Sequence, residues 1–333
     1  MTVYVIGHKN PDTDAVCSAI GYAAFLRATT RPDAVAAACG DANARTRMAL
    51  ERAGIDPSKV LVDVRPRAGR ICRRDVVTAC DHDSLVDLYE RMRQHNLRAI
   101  PVLDAAGNLR GMCSLLNLLE LLLPDSDDPI DNRNVESSLN RIAKVIHGTF
   151  QYASEPEREE TLIVMVGAMS ADNFTKRMHQ FPSANLIIVA GDRPTVQLPA
   201  IEYGVRSLVV TGGYQLSPGL ISLAQERGVS ILTSPLDTAT TTLLIRGAKR
   251  ITRAIDTDFL SFSEDTLLLD VRKQVQKSPQ VLFPVVDDHK KLVGVFSKSD
   301  LVNPEPTKLI LVDHNEIGQA VTGAEDAEIL EVI

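Results

Sequence analysis

No apolar stretch of this chain reaches the roughly 18 residues that a membrane-spanning helix needs. The richest stretch, Leu115 to Leu123, is interrupted by Asn117 and Glu120. A basic surplus is also lacking. The 36 Lys and Arg stand against 43 Asp and Glu, a net charge of −7, whereas general nucleic-acid binding wants a basic surface. The five cysteines (Cys17, Cys39, Cys72, Cys80 and Cys113) are odd in number and contain no Cys-x-x-Cys pair, which fits reduced thiols rather than a disulfide framework. The chain opens directly on a strand, leaving no room for a signal peptide. These absences point to a cytoplasmic protein with no membrane and no nucleic-acid partner. The 333 residues suffice for two or three domains, and 44% hydrophobic with 24% charged residues is an ordinary globular composition.

The stretch that organises the chain lies at its start. Val3-Tyr4-Val5-Ile6 is a short apolar run, and Gly7-His8-Lys9-Asn10-Pro11-Asp12-Thr13-Asp14 leads from it into a small-residue, helix-compatible segment. Strand, tight loop and helix form the βα unit in which open α/β sheets place ligands. One imidazole (His8) and two carboxylates (Asp12 and Asp14) crowd this loop. Carboxylates that close repel one another unless a cation or proton intervenes. A mixed nitrogen and oxygen donor set suits Mn²⁺ or a similar divalent ion. Helix capping alone would need only one of the three residues. Near the other end, Thr307-Lys308-Leu309-Ile310-Leu311-Val312 is a second apolar strand that runs into Asp313-His314-Asn315-Glu316.

These two motifs resemble two signatures of the DHH phosphoesterase superfamily. More narrowly, they resemble the family II, manganese-dependent inorganic pyrophosphatases. The resemblance implies hydrolysis of pyrophosphate to two phosphates at a two-metal site loaded with Mn²⁺, Co²⁺ or Mg²⁺. It implies that His8 and Asp12 hold one ion, that Asp14 holds the other and that Asp313 bridges both, making Asp12, Asp14 and Asp313 catalytic. The family also carries a later Asp-His-His motif, a further metal-binding Asp and a C-terminal domain with substrate-gripping Lys and Arg. None of these precedes the last residues, Glu331-Val332-Ile333. Little or no activity is therefore expected of this chain alone.

Segments 33–38 and 60–64 read as further strands and 41–53 as a helix, joining 307–333 in one doubly wound parallel sheet. Asp12 and Asp313 must reach one cluster across the intervening sequence, so the residues between them read as an insertion. That insertion contains an internal repeat. Ala99-Ile100-Pro101-Val102-Leu103-Asp104 matches Leu282-Phe283-Pro284-Val285-Val286-Asp287, and Leu109-Arg110-Gly111-Met112-Cys113-Ser114 matches Leu292-Val293-Gly294-Val295-Phe296-Ser297, both at an offset of 183. Each copy reads helix, Pro-containing strand, turn, Gly-containing strand, helix.

The repeat resembles the CBS domain, of which two pair and bind adenine nucleotides (AMP, ADP or ATP). Ser297 and Asp300 match that family's ribose-binding pattern, with Ser114 and Asn117 in the corresponding places of the first copy. The alternative for Ser297 is a simple helix cap with Asp300 as its acidic partner. Arginines lead into both copies (Arg65, Arg67, Arg70, Arg73 and Arg74; Arg246, Arg250 and Arg253), with Lys249 among the second set. Arg250 and Arg253 are candidate phosphate ligands through charge-assisted bonds. Between the copies, apolar strands ending in Gly alternate with helices as a small parallel α/β domain. Gly191-Asp192-Arg193 and Val210-Thr211-Gly212-Gly213 resemble the DRTGG domain. No Gly-x-x-x-x-Gly-Lys-Ser/Thr follows, so no phosphate loop and no catalysis are expected there.

The expected architecture is α/β: a DHH-type doubly wound parallel sheet (1–65 and 305–333) interrupted by CBS (66–123), DRTGG (124–245) and CBS (246–304) domains. Its order is that of CBS-containing family II pyrophosphatases. Two functions compete, a nucleotide-regulated pyrophosphatase and a non-catalytic nucleotide sensor with a partial metal site. A DHH-type phosphodiesterase is a weaker third. The expected partners are pyrophosphate and adenine nucleotides, and paired CBS modules imply a homodimer.

Overall fold

The computed structural model describes residues 2–123, 133–314 and 317–333. The linker read at Pro124 to Pro129 and the Asn315-Glu316 end of the second motif lie outside the described residues. The chain forms two compact units, residues 1–76 with 260–333, and residues 77–259.

The first unit begins with β1 (Val3–Ile6), α1 (Thr13–Thr29), β2 (Ala34–Ala38), α2 (Ala44–Ala53), β3 (Lys59–Val60) and a short helix, α3 (Ala68–Ile71). Asp12 starts α1 by accepting a hydrogen bond from the Ala15 amide at 2.9 Å, relieving one of the helix's orphan donors. Ala15, Ala19 and Ala23 form its fully buried face, and their lack of bulk lets the helix lie close on the strands. Gly7 is required for the same reason: a Cβ there would stand 2.6 Å from that of Ala15. Asn43 caps α2, and Gly54, at φ 65°, ends it in the left-handed region.

The second unit starts with the first repeat: β4 (Ala79–Cys80), α4 (Leu85–Gln94), β5 (Ala99–Leu103), β6 (Leu109–Ser114) and α5 (Leu115–Leu122). Its strands form a three-stranded sheet in the order β4-β5-β6. Then come β7 (Asn134–Ser137), α6 (Leu139–Val145), β8 (Thr149–Tyr152), β9 (Glu160–Val166), α7 (Ala171–Met178), β10 (Leu186–Ala190), α8 (Pro194–Tyr203), β11 (Ser207–Val210), α9 (Pro218–Arg227), β12 (Ser230–Thr233) and α10 (Thr238–Gly247). Their sheet has the order β7-β9-β10-β11-β12-β8. The four apolar strands are parallel, as their sequences imply, but antiparallel β7 and β8 close the two edges. Residues of α7, α8 and α9 pack on one face of the sheet, and those of α6 and α10 on the other. Arg206 and Glu160, both nearly buried, pair at 2.5 Å, and the Ser154 and Glu155 carbonyls and Ser230 Oγ accept from the other guanidinium nitrogens.

Back in the first unit, the second repeat supplies β13 (Phe262–Ser263), α11 (Leu268–Val275), β14 (Leu282–Val286) and β15 (Leu292–Ser297). β16 (Lys308–Leu311) and β17 (Glu328–Val332) then complete a five-stranded parallel sheet in the order β17-β16-β1-β2-β3. One face carries α1 and α2. The other, formed by Ile6, Ala37, Leu309 and Leu311, is covered by Val64, Ala320, Val321 and Ala324. That cover holds 3-10 turns at Ile317–Gln319 and Ala324–Asp326. A doubly wound sheet would carry helices on both faces, and here no α-helix is found on the second among the described residues. Gly318 and Gly323, the latter at φ 86°, break the β16–β17 connection into turns.

The lead-in to each repeat packs on the other copy. Ala68 of α3 joins Phe262, Phe283 and Phe296 in the second repeat's core, while Ile251 and Ala254 join Leu88, Met92 and Ile100 in the first. Arg73 bridges Val295, and Asp256 bridges Met112, two pairings related by the same offset of 183. This exchange explains the glycine of each repeat. A Cβ on Gly294 would stand 2.7 Å from the Arg73 carbonyl, and one on Gly111 would stand 2.4 Å from that of Asp256.

Candidate metal centre

β1 and β16 are neighbours, with Ile6 opposite Leu311, and the chain continues from them to opposite sides of the sheet. Such a switch point opens a crevice beyond the carboxyl ends of the two strands, where open α/β sheets bind ligands. His8 and Asp12 follow β1, and Asp313 follows β16. The His8 Nε2 lies 3.7 Å from Asp12 Oδ1 and 3.6 Å from Asp313 Oδ2. One ligand atom from each of the three residues falls within 4.8 Å of the others.

Backbone geometry holds this trio. Asp313 adopts a left-handed φ of 57°, and its amide donates to Ile333 O at 2.8 Å. Asp tolerates that region better than most residues, and such outliers gather at functional sites. The Lys9 amide donates to Gln319 O at 2.7 Å and its Nζ to Gly318 O at 3.1 Å, tying the loop after β1 to the β16–β17 connection. Asp12 is both cap and candidate ligand. The Ala15 amide, aided by His8, holds its carboxyl below the usual range against the small opposing effect of burial.

The donors fit a divalent ion. Neighbouring ligands on an ion bound at about 2.1 Å lie about 3 Å apart, so small side-chain rotations from the present 3.6 and 3.7 Å would close the trio around one. One imidazole and two carboxylates favour Mn²⁺, Co²⁺ or Mg²⁺ over a thiolate-seeking ion. Asp14 stands outside the trio, exposed on the first turn of α1 with its Oδ1 3.4 Å from Ser18 Oγ. His314 places Nδ1 2.8 Å from Val312 O, and its Nε2 is buried without a partner among the described residues.

The repeat-borne residues form two capping boxes. Ser297 Oγ and its amide both donate to Asp300 Oδ2 at 2.7 Å, and Arg73 Nη2 approaches the same oxygen at 3.2 Å. Burial raises the Asp300 carboxyl, but these bonds and Arg73 hold it below the usual range. In the first repeat, Ser114 Oγ and its amide donate to Asn117 Oδ1 at 2.6 and 2.9 Å. Arg250 is committed to Glu159 at 2.9 Å, and Arg253 is exposed. The sequence singled out Arg73 only as one of the arginines leading into the first copy, not as the partner of Asp300 in the second.

The strand ends of the middle domain satisfy themselves. Arg193 donates to the carbonyls of Gly167 and Met169, and the Gly212 and Gly213 amides, at φ 79° and 76°, donate to Leu236 and Ser234.

Residues 141–248 match the DRTGG domain, and residues 68–124 and 249–304 match the CBS domain. The chain is therefore a protein in which two CBS domains flank a DRTGG domain. Along nearly its whole length it is similar to metal-dependent inorganic pyrophosphatases. It is 32% identical to the cobalt-dependent inorganic pyrophosphatase of Clostridium perfringens over 99% of its residues. It is 28% identical to a probable manganese-dependent inorganic pyrophosphatase of Thermotoga maritima, again over 99%. It spans 60% of the length of each of these relatives. A crystal structure of the CBS and DRTGG regulatory region of the Clostridium perfringens pyrophosphatase, complexed with the activator diadenosine tetraphosphate, superposes with a TM-score of 0.60 at 28% identity. It covers 70% of this chain and 99% of that one. No helix among the described residues is long and apolar enough to cross a membrane.

Proposed function

We propose that this chain is the metal-holding and nucleotide-sensing part of a cytoplasmic manganese- or cobalt-dependent inorganic pyrophosphatase. The observation that carries the reading is the convergence of His8, Asp12 and Asp313 at the switch point of the parallel sheet. A divalent ion held there supplies neutralisation of phosphoryl oxygens, the main demand of phosphoryl transfer. His8 and the two carboxylates hold the ion, and Asp12 keeps the first turn of α1 in place while doing so. In this reading Asp14, exposed on the first turn of α1, would serve a second ion.

Ser297 and Asp300 are the ribose ligands of this reading, with Ser114 and Asn117 their weaker counterparts. Likeness to a regulatory region that binds diadenosine tetraphosphate supports adenine nucleotides as the regulators. A nucleotide can shift activity only by its differential affinity for two states of the protein.

The test pairs calorimetry with phosphate release. Imidodiphosphate, a pyrophosphate mimic, is titrated into the Mn²⁺-loaded chain, and AMP and diadenosine tetraphosphate are titrated separately. Phosphate release from pyrophosphate is measured alongside. The expected result is Mn²⁺-dependent mimic binding that Asp313→Asn abolishes, nucleotide binding that Asp300→Ala weakens, and little turnover. Turnover is expected to be low because only three donors converge among the described residues. Binding of neither ligand overturns the proposal. Nucleotide binding without mimic binding favours a sensor that does not act on pyrophosphate.

A further inference from the structure

The first repeat carries a second constellation of metal-binding groups, far in sequence from the trio and unlike it in chemistry. One donor atom each from Cys80, His82 and Asp83 lies within 4.8 Å of the others, in the turn between β4 and α4. We infer that this turn is a thiolate-containing site for Zn²⁺ or Co²⁺, separate from the metal centre of the parallel sheet.

The side chains are arranged as a metal site needs. The Cys80 amide and Arg91 Nη1 hold Asp83 Oδ2 at 3.0 and 2.8 Å, which fixes the carboxylate and leaves Oδ1 for an ion. Arg91 is itself braced on Thr78 O at 2.8 Å. Asp81 Oδ1 stands 3.4 Å from His82 Nδ1, the outer carboxylate that commonly orients a ligating imidazole and leaves Nε2 to the metal. The segment 251–252 clasps the turn, with the Ile251 amide donating to Asp83 O at 3.1 Å and Thr252 Oγ1 to Asp81 O at 3.3 Å.

The charge balance agrees. With Cys80 as thiolate, Cys80, Asp81 and Asp83 contribute three negative charges against one positive charge from Arg91, and a divalent cation neutralises the remainder. Thiolate, imidazole and carboxylate are the donors of zinc sites, and three protein ligands with an open side leave a fourth position. His82 is exposed while Cys80 and Asp83 are half-buried, so that side faces solvent.

The second repeat is an internal control. At the offset of 183, Cys80, His82 and Asp83 correspond to Ser263, Asp265 and Thr266. There the Ser263 and Thr266 hydroxyls meet at 3.1 Å in the same turn. The fold closes this turn without thiol or imidazole, so packing does not account for Cys80 and His82.

The experiment is optical titration of the full chain with Co²⁺, followed by displacement with Zn²⁺. A thiolate-to-cobalt charge-transfer band is expected, because the sheet site offers no sulfur. The band should persist in His8→Ala, vanish in Cys80→Ser and be removed by Zn²⁺. In His82→Ala the Co²⁺ affinity should fall by more than the ~100-fold that loss of an outer-shell partner costs at most. Cys80→Ser reproduces what the second repeat already carries, so a failure to fold is not expected to obscure the result. Absence of the band in the parent chain, or its survival in Cys80→Ser, overturns the inference.

Discussion

Position 7 shows how much a single atom can decide at the metal loop. A methyl group on Gly7 meets the Ala15 side chain at 2.6 Å and its carbonyl at 2.9 Å, and neither can rotate away. Gly7→Ala should cost ~1–3 kcal/mol by overpacking, read as a lowered midpoint in denaturant, and should weaken metal binding with it. Asp12 separates two roles in one side chain. Asp12→Asn keeps an amide oxygen for the cap and should leave stability nearly unchanged while lowering Mn²⁺ affinity. Asp12→Ala should lose ~1 kcal/mol of stability as well. A half-buried and a buried thiol supply a pH signature. Burial pushes Cys39 up to about 11 and Cys113 up to about 12, well above an ordinary thiol. The folded state favours their protonated form, so their contribution is complete below about pH 9 and is lost as pH rises towards 11 and 12. Alkylation at pH 8 should therefore spare Cys39 and Cys113 and mark the exposed Cys17. The convergence of His8, Asp12 and Asp313 was legible in sequence because the loops that carry them follow apolar runs that read as strands. The pairing of Arg73 with Asp300 was not, because nothing in a repeat says on which copy its lead-in packs.

At the scale of elements, β16 connects the second repeat and α3 to the candidate metal loop. Arg70 of α3 donates to Thr307 Oγ1 and, at 3.0 Å, to Pro306 O, while the buried Thr307 hydroxyl donates to Val64 O at 3.0 Å. These bonds fix the start of the strand whose far end carries Asp313. Arg70→Ala should speed hydrogen exchange of the β16 amides and reduce Mn²⁺ affinity severalfold. Unchanged exchange would show that the strand is held by its sheet neighbours alone. Elements with a strong apolar signature (β1, β9 to β12, β16) could be read from the sequence. β7 and β8 could not, since Asn134–Ser137 and Thr149–Tyr152 are short, mostly polar edge segments. Helices expected over both faces of the parallel sheet were replaced on one by turns, because the glycines of the β16–β17 connection favour turns over helix.

For the whole molecule, the repeat boundaries and the compact units do not coincide. The units divide at 76/77 and 259/260, after each exchanged lead-in has crossed to the other copy. Gly111 and Gly294 are the positions at which that crossing is tightest. Gly294→Ala should therefore destabilise the first unit and Gly111→Ala the second, giving two separable transitions in a thermal scan. That two CBS domains flank a DRTGG domain was legible because the repeat fixes the frame and the segment between its copies has its own motif. The exchange was not, because sequence symmetry is the same whether lead-ins stay or cross. The central claim is that residues from both ends of the chain hold one divalent ion at the switch point of the sheet. Its most direct test is calorimetric titration of Mn²⁺ into the chain and into Asp313→Asn. The prediction is one sulfur-free site whose affinity falls at least ~100-fold in the variant, more than any outer-shell change would give. Equal affinity in the two proteins would contradict the assignment of Asp313 and, with it, the reading of this sheet as a metal-dependent phosphohydrolase centre.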